Sequence, residues 1–164
     1  MTTGGIDRAT VQWYVDTALA KMLSRADELG DDLVSVRPDL EGANSVFAIV
    51  THCCGVLERG GGEGGAGRTI HRDRAAELAA TGTIAQLEER VAAQRRRWLD
   101  DLRGYDAGAQ PAGPDHRDEG DPEVITQGFV VLHVIEELFQ HLGHIDLTVD
   151  LLRAGVHGPS SDGR

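Results

Sequence analysis

The sequence predicts an all-α fold, a four-helix bundle. Apolar residues recur at helical spacing in four long stretches, and residues that start and stop helices stand at the ends of those stretches. Period-two alternation of the kind that marks strands is nearly absent. At 164 residues the chain suits one domain with a substantial core, which we place at residues 1–156, with a disordered tail over 157–164. Hydrophobic residues make up 40% but aromatics only 4%, so Leu, Val, Ile and Ala must supply most of the core.

The first helix is expected from about Asp7 to Leu29, with Val11, Tyr14, Val15, Ala18, Leu19, Met22 and Leu23 as its apolar stripe and Gly30 as its stop. A loop with Arg37, Pro38 and Asp39 follows. The second helix starts at Asn44 or Ser45, either of which can cap it, and runs through Val46, Phe47, Ile49, Val50, Val56 and Leu57. From Arg59 to Gly67 the chain is almost all Gly and Ala. Each interior Gly costs a helix roughly 0.8–1 kcal/mol relative to Ala, so this run reads as a frayed end or a mobile loop. It follows no strand and lacks the Lys-Ser/Thr ending of a phosphate loop. Thr83 and Gln86 form a capping box that opens the third helix, which carries Ile84, Leu87, Val91, Trp98 and Leu102 and ends at Gly104. After a loop over Tyr105 to Gly120, Asp121, Pro122 and Glu123 read as a cap, a first-position proline and an acid favoured by the helix dipole. The fourth helix then runs to Ala154, where Gly155 ends it.

A formal charge of −11 argues against nucleic-acid binding and against attachment to anionic lipid, both of which need a basic face. No apolar run approaches the roughly 20 residues of a membrane helix, and Met1 to Asp7 lack the features of a signal peptide, so a cytoplasmic protein is expected. The only cysteines, Cys53 and Cys54, are adjacent and form no disulfide framework. They read as reduced, small core residues.

On the fourth helix, at roughly 100° per residue, His133, Glu137, His141 and His144 fall on one stripe about 80° wide. The stripe borders the apolar face formed by Val134, Leu138, Ile145 and Val149. A carboxylate there needs a partner to offset desolvation. Two readings stand side by side: a metal site built on Glu137 and His141, or a helix-stabilising pair with packed histidines. His52 lies mid-helix in an apolar segment and is either the further ligand or a packed core histidine. Cys53 and Cys54 lie about 100° and 200° round the helix from it.

The segment from Gln127 to His144, with His133, Glu136, Glu137, His141 and Gly143, resembles the last helix of the DinB-like superfamily. More narrowly it resembles the actinobacterial branch of mycothiol-dependent S-transferases and maleylpyruvate isomerases. The stretch Asn44 to Gly55, containing Thr51, His52, Cys53 and Cys54, resembles that family's second helix, and Gly67 to Arg74 the segment after it. The resemblance implies a DinB-like bundle with a divalent metal held by a histidine on the second helix and a pair at i, i+4 on the fourth. Carried over residue by residue, the ligands are His52, Glu137 and His141. His144 and His133 are then expected beside the site rather than in it. Where relatives carry aromatic and aliphatic residues, this chain has Gly60, Gly64 and Gly65, from which a looser pocket wall is expected.

Two imidazoles and a carboxylate with an open position suit a catalytic zinc site first, with nickel or iron as the alternatives. The resemblance implies that the metal activates a low-molecular-weight thiol, mycothiol, for attack on an electrophilic substrate: a detoxifying transferase. Arg68, Arg72 and Arg74 are candidates to bind the polar groups of that thiol; otherwise they are solvated loop charges. The second enzymatic reading is a thiol-dependent isomerase of the maleylpyruvate type. A non-catalytic metal-binding bundle, or a homodimer packed through exposed helix faces, is the alternative of a different class.

Overall fold

The computed structural model describes residues 5–113 and 123–156, and everything below refers to these. They are helical with no strand, and no helix is long and apolar enough to cross a membrane. Four long helices carry the architecture: α1 (Arg8–Asp27), α3 (Val46–Arg59), α5 (Ile84–Asp101) and α6 (Gln127–Arg153). Two short ones, α2 (Gly30–Leu33) and α4 (Arg74–Ala79), lie in the connections and have no counterpart in the sequence reading. Around the bundle α1 packs on α6, α6 on α3, α3 on α5 and α5 on α1, so α3 lies diagonally across from α1.

The starts of the first three long helices follow from local chemistry. Asp7 accepts from the Thr10 N–H, Ser45 from Ala48, and Thr83 with Gln86 forms the expected capping box. Every residue of α3 from Val46 to Leu57 is buried, consistent with its near-continuous apolar composition. The core joins Val11, Val15 and Met22 of α1 to Ile49, Val50 and Leu57 of α3, Leu87 and Trp98 of α5, and Leu138, Ile145 and Val149 of α6. Tyr14, expected in the stripe of α1, is instead 42% exposed.

Two boundaries differ from expectation. Helix α6 begins at Gln127, not near residue 121; Asp121 and Pro122 lie outside the described residues, and Glu123 to Ile125 are not helical. Thr126 caps the helix by accepting from Phe129 N–H at 3.2 Å. The preceding loop takes two first-turn donors, Gln127 N–H to Ala109 O at 2.8 Å and Gly128 N–H to Ala107 O at 3.0 Å. At the other end, Gly155 at φ +80° follows the helix, as expected.

The glycine run is neither frayed nor a loop. Gly60–Gly65 continues α3 as a π-helical turn, and Gly60 to Gly64 are buried. Its glycines are sites of close approach. A Cβ on Gly60 would collide with Val134 Cγ2, one on Gly64 would lie 2.8 Å from Val130 Cγ1, and one on Gly61 would lie 2.9 Å from Trp98 Cε3. The missing side chains let α6 and α5 press against this backbone, and that packing outweighs the low helix propensity of glycine. The contacts also set an antiparallel register between α3 and α6. Gly64 meets Val130 and Gly60 meets Val134, so each turn forward on α3 is met by a turn back on α6. Two further turns bring His52 opposite His141.

Candidate metal centre

Extended along α3 and α6, that register predicts a meeting of histidines, and it occurs. The rings of His52 and His141 stand 4.9 Å apart between centroids at an interplanar angle of 79°. Glu137, one turn before His141, has its Oε2 3.4 Å from His141 Nε2. One ligand atom from each of His52, Glu137 and His141 lies within 4.8 Å of the others. Donors around a tetrahedral metal at about 2.1 Å stand about 3.4 Å apart, so closing this cluster on an ion takes only side-chain adjustment. His52 is 3% exposed, while Glu137 and His141 are half-buried and leave one side open. Three N and O donors with an open side fit a divalent metal.

The environment holds both imidazoles in the form a metal needs. Burial lowers the pKa of His52, opposed in part by its hydrogen bond to Glu77. Burial, followed by the nearby charge of His52, lowers that of His141. Both rings are therefore neutral at pH 7, with a lone pair available.

His52 is further oriented by a partner that sequence reasoning missed. Its Nδ1 lies 2.9 Å from Glu77 Oε2. Arg72 grips the same carboxylate with Nε at 2.7 Å and Nη2 at 2.8 Å, and its Nη2 is also 3.0 Å from His52 Nδ1. Nδ1 faces two groups, the acceptor-only Glu77 carboxylate and Arg72 Nη2, which Glu77 Oε2 already satisfies; because a bare lone pair facing the carboxylate would be repulsive, we assign the proton to Nδ1, donating to Glu77. With that tautomer Nε2 keeps its lone pair and is the atom that could ligate a metal, the usual arrangement where a carboxylate stands behind a histidine. Gly55 makes room for this pair, since a Cβ there would collide with Glu77 Oε1 and lie 2.8 Å from Arg72 Nε. Glu77 sits on the short helix α4, capped by Asp73, and nothing in its local pattern distinguishes it from a solvated acid.

The other candidates take different places. His144 is exposed and stacks beside His141, with centroids 6.2 Å apart. His133 is exposed and 3.6 Å from Glu136 Oε2, outside the cluster. Cys53 and Cys54 are buried and free, as expected, and neither joins the cluster. Burial pushes both thiols up, that of Cys54 to about 12, so neither is a thiolate at neutral pH. Of the three arginines, Arg68 is bound to Asp101 through two contacts at 3.0 and 2.7 Å, and Arg72 to Glu77. Arg74 is exposed at the start of α4, near enough for its charge to lower the His52 pKa.

No curated protein matches this sequence. A family model described as the DinB superfamily matches residues 14–145, a span that holds His52, Glu77, Glu137 and His141 together with all the packing that positions them. With that match over most of its length and an all-helical bundle to accompany it, the chain belongs to the DinB superfamily.

Proposed function

We propose that this protein is a metal-dependent thiol S-transferase, with His52, Glu137 and His141 as the ligands and a low-molecular-weight thiol, mycothiol, as the co-substrate. The observation that carries the metal reading is the cluster of two neutral imidazoles and a carboxylate, open on one side, with His52 aimed by Glu77. The thiol rests on the resemblance of the His52 and Glu137/His141 segments to the mycothiol-dependent branch. A divalent metal bound here supplies a Lewis-acid position that stabilises a thiol as its thiolate, the nucleophilic form.

The residues of the chain have separate tasks in this reading. His52 and His141 stay neutral through burial, and Glu137 contributes the one negative charge of the ligand set. Glu77 accepts from His52 Nδ1, and Arg72 donates to Glu77. The chain's own cysteines are buried with their thiol pKa values pushed up, so neither serves as the thiolate in this reading, which takes it from a small-molecule thiol. Arg74 carries no ion pair among the described residues and is the arginine best placed to meet polar groups of an incoming thiol.

Two measurements test the reading separately. Elemental analysis should find one equivalent of metal in the wild type and in His144→Ala, and little in His52→Ala or His141→Ala. Full retention in either of the last two removes that residue from the ligand set. Metal-loaded protein mixed with mycothiol and a bimane electrophile should form the conjugate faster than the thiol alone. A rate equal to that of free thiol would rule out the transferase.

A further inference from the structure

The glycines that seat α3 against its neighbours also outline a furrow leading away from the candidate metal centre. On one flank Gly60 and Gly64 meet Val134 and Val130 of α6. On the other, Gly55 meets Arg72 and Glu77, and Gly62 meets Ile70, so the segment before α4 runs back along the helix. His52, Val56 and Arg59 face the gap between these flanks. At about 100° per residue they fall within about 60° of one another, with Gly55 to one side and Gly60 to the other. Ala48, the next residue of this stripe toward the start of α3, is buried, whereas the Arg59 side chain is 46% exposed. The furrow is therefore closed beyond His52 and open at Arg59.

Arg59 is held at one edge only. Its Nε lies 3.5 Å from Glu63 Oε2, while Glu63 Oε1 accepts from Ile70 N–H at 3.4 Å. The Arg59 contact is longer than a charge-assisted hydrogen bond, and the Nη groups have no hydrogen bond among the described residues. The free edge of the guanidinium is a fork of paired donors, whose complement is a carboxylate. The charges of the furrow permit one. Glu77 is answered by Arg72 and Glu63 by Arg59, and a divalent metal exceeds the single charge of Glu137 by one. Arg74, at the start of α4, adds a further positive charge. Seven residues separate His52 from Arg59, a rise of about 10 Å, and side chains of a helix lean the same way along it. A metal on His52 and the guanidinium therefore stand about that far apart.

We propose that Arg59 is a specificity-determining residue, and that the electrophile this protein modifies carries a carboxylate about 10 Å from the metal, bound by the free edge of Arg59. The reaction rests on the transferase reading; the binding of the carboxylate does not. The test pairs 6-bromohexanoate with 6-bromohexanamide, whose chains, joined to a metal-bound sulfur, span about 10 Å. Transfer forms the S–C bond as the C–Br bond breaks, and bromide leaves with the bonding pair. With mycothiol and the full-length, metal-loaded protein, kcat/KM should favour the acid about ten-fold or more, chiefly through KM. In Arg59→Gln that ratio should fall toward one. A purely structural role for Arg59 would lower both substrates together and leave the ratio unchanged, which overturns the proposal, as does equal kcat/KM for acid and amide in the wild type. If neither bromide is turned over, the transferase reading fails and binding decides. In 15N-edited NMR, hexanoate should give saturable shifts of the Arg59 Nε–H and the Val56 amide, and hexanamide should not. Arg59→Gln should weaken hexanoate about ten-fold, read at Val56, with metal content intact. Absence of saturation overturns the proposal, and so does equal affinity in Arg59→Gln, the mark of a carboxylate bound on the metal itself.

Discussion

Replacing Glu77 with Gln keeps the shape of the side chain and removes one negative charge 2.9 Å from His52 Nδ1. In the wild type the carboxylate accepts from both His52 and Arg72. An amide has only one acceptor oxygen, so whichever partner keeps it, the other faces an NH2 group, donor against donor. The Arg72 guanidinium, 3.0 Å from Nδ1, also loses the charge that balances it and makes the ring a poorer ligand. Two independent routes give the magnitude. Loss of a hydrogen-bonding partner behind a metal ligand typically weakens metal binding about 10–100-fold. A divalent metal on Nε2, its charge reduced to about +1 by Glu137, would stand about 7 Å from the Glu77 carboxylate, and removing one charge at that distance with an effective dielectric of about 20 costs about 2.4 kcal/mol, roughly 50-fold. Competition for zinc against a chromogenic chelator at constant pH reads this directly. Glu136→Gln, an exposed change beside His133, serves as the control and should bind like the wild type. A dissociation constant for Glu77→Gln within about two-fold of wild type, with the melting temperature unchanged, would refute the claim that Glu77 orients His52.

Gly55→Ala should reach the same end by a different route, because its Cβ would displace the Glu77 carboxylate, the movable end of a side chain, rather than backbone. We expect a folded protein with metal affinity lowered as in Glu77→Gln and little further loss in the double variant, measured by the same competition. Gly60→Ala should instead cost stability, about 1–3 kcal/mol by urea unfolding, since its Cβ would collide with Val134 on α6, whose position is set by backbone packing. An unchanged urea midpoint would show that α3 and α6 can separate freely. Stability of the metal-free protein should also fall as pH drops. His52 and His141 have folded pKa values below their ordinary value near 6.5, so the unfolded chain takes up protons first. The full contribution is present above about pH 6.5 and is lost as pH falls toward the folded values. The urea midpoint should therefore be lower at pH 5.5 than at pH 7.5, by less in His141→Gln, and equal midpoints would contradict the buried neutral histidines.

What could be read from the sequence was what neighbours along the chain decide. Asp7, Ser45 and the Thr83/Gln86 box start helices because their partners lie three residues away. Glu137 and His141 share a face because they are one turn apart, and the apolar stripe beside them places them at the core edge. The four-helix architecture follows from such stripes repeated. Spacing left His52 open between ligand and core residue, and the family resemblance put it in the set that the structure brings together.

Three features were decided only by tertiary contact. Propensity counts Gly60–Gly65 against a helix, but it assumes a backbone in water, and here Val130, Val134 and Trp98 cover the run. Helix α6 starts at Gln127 because a loop some 20 residues earlier in the chain occupies its first donors. Glu77 reaches His52 only because α4 folds onto α3 at a residue without a side chain, Gly55. The sequence by itself thus determined the four long helices and one half of the candidate site. Bringing His52 to the other half depended on how closely two backbones could approach, a property of pairs of distant residues that no local pattern records.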